Sequence, residues 1–360
     1  MSKNYLILNT YGIGDVMFST PLLESIKAYQ PDARIVYLCD RRTQEILDDH
    51  PQVDRVLVYE KDEFVKEKQR SFSGWLKKWK ILLDQIREEG CDTAIDLSLS
   101  SKIGLIPVLA GIKKRVGLNY KNRGRYLTHK IDIHGFEGKH VAEFYLDVIR
   151  IMGIPVAGSG LTLGISEARR EWSDGFLKTH GINASDFLVG IAPCGGQTLN
   201  DRAHIKQWPA QHFVALIDWL QNEYQAQVLL FGAPHEKKQI DEICSTVNQP
   251  QRCLAVCDAS LMQCAALIDH CRLFIGNDTG LLRFADALKK KTVGIFGPVD
   301  ERVYGMFPFD PQTQAYLTAD VMCRPCYHRF RFAECRNQYR CIKDISVTTA
   351  VKHLEIISKI

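Results

Sequence analysis

Near the start of the chain, Gly12-Ile13-Gly14-Asp15 puts a carboxylate where the end of a first strand meets a helix. At that edge of an open α/β sheet a carboxylate can take a proton from a hydroxyl within hydrogen-bond reach, and Asp is also among the best helix N-caps. Well downstream, Ala192-Pro193-Cys194-Gly195-Gly196-Gln197-Thr198 is followed by Lys206-Gln207-Trp208-Pro209. Paired glycines after a strand allow a ligand close to the backbone, and Lys206 offers a point charge to a phosphate or stands solvated on a loop. Glu236, in Phe231-Gly232-Ala233-Pro234-His235-Glu236, reads as a ribose ligand or as a first-turn helix acid. Gly276-Asn277-Asp278-Thr279-Gly280-Leu281 is a strand end, a polar turn and a helix start, where backbone amides point outward at an anion. Asp278 beside such a cradle either caps the helix or faces something other than phosphate, such as a sugar hydroxyl.

A further constellation is Cys323-Arg324-Pro325-Cys326 with Cys335 and Cys341, four thiols within one short polar segment. That spacing suits a tetrahedral structural zinc, or a single iron, and the other readings are free thiols or disulfides formed on oxidation. Cys244, Cys253, Cys257, Cys264 and Cys271 lack such spacing and read as buried small hydrophobes.

The elements that must position these residues alternate. Strand patterns at 5–9, 34–39, 55–59 and 92–97 are separated by helical stretches at 16–29 and 74–89, and a helix at 141–152 leads into a Gly/Pro-rich break at 153–164. The scheme repeats with strands at 187–192, 227–231, 272–275 and 292–296 and helices at 210–223, 235–247, 261–269 and 280–288. Alternation of this kind predicts parallel sheets covered on both faces. The chain therefore divides into 1–164, 165–345 with the cysteine-rich loop at 323–341, and a terminal helix at 346–360.

Hydrophobic residues at 46% and charged residues at 24% place the chain among ordinary soluble proteins, and the net charge of +4 is too small to argue for nucleic acid. The first residues lack a signal-peptide pattern and no apolar run is long enough to span a bilayer, so a cytoplasmic location is expected, with contact at the inner membrane face allowed. A dinucleotide fingerprint would need a third glycine where Met17 stands, which disfavours a nicotinamide-dependent dehydrogenase.

Taken together, Gly12-Ile13-Gly14-Asp15 with Thr20-Pro21, Lys206-Gln207-Trp208-Pro209, and Asn277-Asp278-Thr279-Gly280 with Phe296-Gly297-Pro298 resemble glycosyltransferase family 9, the ADP-heptose:lipopolysaccharide heptosyltransferases. The resemblance implies an α/β GT-B fold, two facing Rossmann-like domains with an interdomain cleft. It implies inverting transfer of heptose from ADP-heptose to a lipopolysaccharide inner-core acceptor, without a catalytic metal or organic cofactor. By position, Asp15 would be the base. Gly195, Gly196, Gln197, Lys206, Glu236, Asp278, Thr279, Gly280 and Leu281 would bind the donor, and Gly14, Arg123 and Arg125 the acceptor, an anionic glycolipid. The family often carries His where this chain has Arg283, which either joins the donor site or pairs with Asp286 one turn on. A protein acceptor of the autotransporter type and a non-catalytic nucleotide-sugar-binding subunit are the alternatives.

Overall fold

The computed structural model describes residues 3–158, 160–196 and 203–357. The chain forms two compact units, Met1–Gly164 and Ile165–Ile360.

The first unit holds a six-stranded sheet of β1 (Asn4–Leu8), β2 (Arg34–Cys39), β3 (Arg55–Val58), β4 (Thr93–Asp96), β5 (Lys114–Tyr120) and β6 (His129–Ile133), in the order β3-β2-β1-β4-β5-β6 with every pairing parallel. Tyr5, Leu6, Ile7 and Leu8 are all buried, as expected of a central strand covered on both faces. After β1 the helical run expected at 16–29 is in fact two helices, Ile13–Phe18 and Thr20–Tyr29. The break has a local cause: the Ser19 hydroxyl donates to the Val16 carbonyl at 2.7 Å, and Pro21 starts the second helix in the first turn, where its missing N–H costs nothing.

The second unit repeats the plan with β7 (Leu188–Ala192), β8 (Gln227–Phe231), β9 (Cys253–Val256), β10 (Leu273–Asn277), β11 (Lys291–Ile295) and β12 (Gln314–Leu317), ordered β12-β11-β10-β7-β8-β9 and again parallel throughout. Its core gathers Val189, Ile191, Phe213, Leu230 and Ile275, and the last helix, Val347–Ile357, inserts Ala350, Leu354 and Ile357 into that same core. A short hairpin, Tyr327–His328 with Arg331–Phe332, lies within the cysteine-rich segment.

Strands β5, β6, β9 and β12 go beyond those expected from the sequence pattern, and so do the helices Lys61–Arg70 and Glu167–Thr179. Three of the four additional strands are sheet edges. In both units the chain runs outward from a central strand in one direction, then returns to run outward in the other. The reversal falls between β1 and β4 in the first sheet and between β7 and β10 in the second. The carboxyl ends of strands flanking such a reversal leave a crevice, the usual ligand position in open α/β sheets.

Candidate active site

In the second unit, the loop after β7 carries Cys194, Gly195 and Gly196, and the loop after β10 carries Asp278, Thr279 and Gly280, so both flank the reversal. One side chain ties these segments together. The amide of Asn277, fully buried, donates from Nδ2 to the Pro193 carbonyl (2.7 Å) and the Cys194 carbonyl (3.3 Å), while its Oδ1 accepts from the Trp208 N–H (3.2 Å). Trp208 is itself buried and anchored from Nε1 to the Ile345 carbonyl at 2.8 Å, which fixes the neighbouring Lys206. Sequence reading took Asn277 for a turn residue; its role as an organiser needs three loops to converge, which no local signal reports. Gly196 has φ +64°, a left-handed conformation in which glycine avoids the Cβ penalty. Gln197 lies outside the described residues.

Asp278 is held between two cations. Lys206 Nζ stands 2.7 Å from Oδ2 and Arg283 Nη2 stands 2.5 Å from Oδ1. The Asp278 and Arg283 side chains are 9% and 3% exposed, so their attraction is little screened. Burial pushes the Asp278 carboxyl upward, but Lys206 and Arg283 overcome it and hold it below the usual carboxylate range. Arg283 also lies over the Phe296 ring, 5.7 Å from its centroid. The cluster therefore carries one more positive than negative charge at the mouth of a helix. That helix, Gly280–Ala287, has Thr279 as N-cap with no side-chain cap bond, so Asp278 is not a cap. Its first-turn amides, Gly280 and Leu281 among them, have no intrahelical acceptor, and the buried Thr279 Oγ1 has no hydrogen-bond partner among the described residues. The alternative pairing of Arg283 with Asp286 is not found. Asp286 instead accepts from the Phe307 N–H and the Gln314 amide, and burial raises its carboxyl to about 6.

Glu236 caps the short turn Pro234–Glu236: its Oε2 accepts from the Ala233 N–H at 2.9 Å. That places it at the carboxyl end of β8, one strand away from the reversal.

In the first unit, Asp15 sits in the first turn of the helix Ile13–Phe18, whose N-cap is Gly12, so the capping alternative for Asp15 is not realised. Its Oδ1 lies 3.5 Å from the Tyr145 hydroxyl, and its carbonyl accepts from the buried Asn9 Nδ2 at 3.1 Å. Open space surrounds Gly12 and Gly14: a Cβ built on either meets no atom within 4 Å. Tyr145, from the helix Val141–Arg150, was not singled out in sequence, because a buried tyrosine on an apolar helix face looks like core. Asp96 ends β4, in register with Leu8 across the same reversal; burial raises its carboxyl to about 6, although Ser98 donates to it from both N–H and hydroxyl. Arg123 and Arg125 are exposed on the loop after β5, resting over the rings of Tyr120 (5.7 Å) and Tyr126 (5.0 Å).

The four-cysteine segment keeps its thiols close enough to act on one another. Among the described residues no group of three or more His, Cys, Asp or Glu is placed to hold a metal ion, so the structure gives no support to the zinc or iron expected at Cys323, Cys326, Cys335 and Cys341. Their exposure differs from thiol to thiol. Cys323 and Cys335 are exposed and Cys341 is buried; Cys326 Sγ donates to the Cys323 carbonyl at 2.8 Å, and Cys335 Sγ accepts from the Tyr339 N–H at 3.2 Å. Burial first, then the three neighbouring thiols, raises Cys341 to about 11. The segment is latched by Arg324, which donates to the Gly297 and Val299 carbonyls and pairs with Glu301 at 2.7 Å. It leans Phe332 toward Lys206, whose Nζ is 5.9 Å from that ring.

No helix among the described residues is long and apolar enough to cross a membrane.

Comparison with known proteins gives a consistent result. Residues 79–336, more than half of the chain, match the family model for glycosyltransferase family 9 (heptosyltransferase). The chain is 26% identical over 305 residues to lipopolysaccharide heptosyltransferase 2 of Salmonella typhimurium, covering 81% of this chain and 82% of that protein. Among solved structures, the glycosyl transferase family 9 protein of Veillonella parvula superposes with a TM-score of 0.84 at 22% identity, covering 99% of this chain and 98% of that one. The ADP-heptose lipopolysaccharide heptosyltransferase II of E. coli gives 0.75 at 21% identity, with the same coverage. These likenesses place the α/β fold among the GT-B glycosyltransferases.

Proposed function

This chain belongs to glycosyltransferase family 9, and from that premise we propose that it transfers heptose from ADP-heptose to a lipopolysaccharide inner-core acceptor with inversion, Asp15 acting as the general base. The observation that carries the reading is the Lys206–Asp278–Arg283 cluster at the reversal between β7 and β10. A buried site with one surplus positive charge beside free helix amides suits a diphosphate.

In this mechanism the second unit binds the donor. Gly195, Gly196 and the first-turn amides at Gly280 and Leu281 receive the diphosphate, with Gln197 as a further neighbour, and Thr279 Oγ1 offers it a hydroxyl. Asp278 holds Lys206 and Arg283 in register and reaches the sugar side. Glu236 takes the nucleoside ribose. As the acceptor oxygen attacks the anomeric carbon, its proton passes to Asp15 and the C–O bond to the diphosphate breaks. Negative charge then accumulates on departing ADP, where Lys206 and the amides stabilise it more than in the bound donor. Open space at Gly12 and Gly14 leaves room for the acceptor beside Asp15, and Tyr145 orients the carboxylate. Arg123 and Arg125 bind acidic groups of the acceptor, and the protein works at the inner face of the membrane.

The test is titration of the purified protein with ADP-heptose and competing nucleotide sugars, with transfer to a lipopolysaccharide core acceptor followed. Saturable binding of ADP-heptose and transfer that fails in Asp15→Ala, with donor binding spared, is expected. Unchanged turnover in Asp15→Ala removes the mechanism, and absence of saturable binding removes the donor assignment.

A further inference from the structure

From the helices Lys61–Arg70 and Phe72–Glu88 of the first unit we infer a docking surface for anionic lipid bilayers. The inference rests on the membrane-face reading above and names the surface that would serve it.

Residues 61–80 carry seven lysines and arginines against three acids, an excess of four that equals the net charge of the whole chain. Residues 111–130 carry a larger excess, seven lysines and arginines with no acid, but at 61–80 the charge stands beside exposed apolar side chains. One of the three acids is already neutralised locally: Glu63 pairs with Arg41 and with Lys78, each at 3.1 Å. Lys66, Arg70 and Lys77 are exposed and make no ion pair among the described residues.

Apolar side chains stand in the same segment without cover. Phe72 is 63% exposed, Leu76 49% and Val65 47%. Phe72 and Leu76 are four residues apart, hence on one face of their helix. Phe72 stacks on Trp75 at 5.5 Å, and Lys68 Nζ sits 5.4 Å over the same Trp75 ring, so the two helices present one joined surface. Trp75 and Trp79 pack on their inner side against the core that includes Phe64 and Leu82, which supports the outer residues on a rigid base.

An exposed aromatic and leucine ringed by lysines is poorly matched to a protein partner, because lysine is depleted at the cores of protein interfaces. It matches a bilayer with anionic headgroups: the apolar side chains enter the headgroup boundary, the lysine stems lie along it, and the ammonium groups meet lipid phosphates.

The test is sedimentation of the full chain with phosphatidylglycerol-rich vesicles and with phosphatidylcholine vesicles, across a salt series. Binding to the anionic vesicles that weakens with salt, and little binding to the neutral ones, is expected. Lys66→Ala/Lys77→Ala should weaken partitioning on the order of 30-fold, and Phe72→Ser/Leu76→Ser on the order of tenfold. All four residues are exposed, and circular dichroism confirms that the variants fold. Equal binding to both vesicle types, or wild-type partitioning by both double variants, overturns the inference. Calorimetric titration with ADP is run in parallel without lipid. Failure of vesicle binding with ADP binding intact sinks the docking surface alone, whereas loss of ADP binding by the wild type strikes the functional reading.

Discussion

Replacing Arg283 by methionine probes the charge cluster on which the functional reading depends. Arg283 and Asp278 are both buried, and their contact measures 2.5 Å. Deleting one partner of a buried pair costs about 3–5 kcal/mol, since it strands the other charge away from water. Asp278 retains Lys206 at 2.7 Å, so the lower end applies, about 3 kcal/mol. For a unit of this size such a loss lowers Tm by roughly 6–12 °C. The sign with pH follows from the depressed Asp278 carboxyl: its stabilisation is present above the ordinary value of 3.8 and is lost as pH falls through the lower folded value. Arg283→Met removes part of that depression, so the variant loses less on further acidification than wild type does. Adding Asp278→Asn removes the stranded charge, and the double variant should recover much of the lost Tm. Differential scanning fluorimetry of the full chain reads both numbers, and calorimetric titration with ADP should show weakening on the order of tenfold in Arg283→Met, as the surplus positive charge disappears. A single variant melting within about 2 °C of wild type, or a double variant melting no higher than the single, would refute the idea that Arg283 is there to neutralise Asp278.

Three further outcomes are expected. Asp15→Asn keeps the side-chain shape and should lower transfer by about 10²–10⁴-fold while leaving ADP affinity within error, which single-turnover assays and calorimetry separate. Lys206→Ala should weaken ADP binding by about 1.5–3 kcal/mol, read by calorimetry, the range for a hydrogen bond to a charged group; unchanged affinity would take Lys206 out of the donor site. Asp96, raised by burial to about 6, contributes stability that is full below 3.8 and lost as pH rises through 6. Asp96→Asn should therefore gain about 2.4 kcal/mol on wild type between pH 4 and pH 7 in urea titrations, and a pH-independent difference would contradict the shift.

Much of the architecture was legible because central strands of parallel sheets are buried on both faces. The apolar runs of β1, β2, β7, β8, β10 and β11 announce themselves without knowledge of their neighbours. Strands at the edges escape that logic. β6 reads His129-Lys130-Ile131-Asp132-Ile133, mostly exposed, and only its pairing with β5 makes it a strand. The break at Ser19 needed a hydroxyl to turn back on its own helix, an option that periodicity does not see.

The candidate site divides along the same line. Residue types and order along the chain determined by themselves that Asp15 follows a first strand, that Asp278-Thr279-Gly280 opens a helix, and that Lys206 precedes Trp208, because these are local facts of strand ends, turns and helix starts. Only the tertiary structure decided what the charges do. Lys206 and Asp278 are 72 residues apart in sequence yet share a hydrogen bond, and Arg283 pairs with Asp278 while the Asp286 carboxylate accepts from Phe307 and Gln314. The same holds for the cysteines: their spacing lets the four thiols come near one another, and burial then sets them apart, with Cys341 in the core and Cys323 and Cys335 exposed. Spacing limits which groups can meet, and the packing of loops around Asn277 and Trp208 selects which ones do.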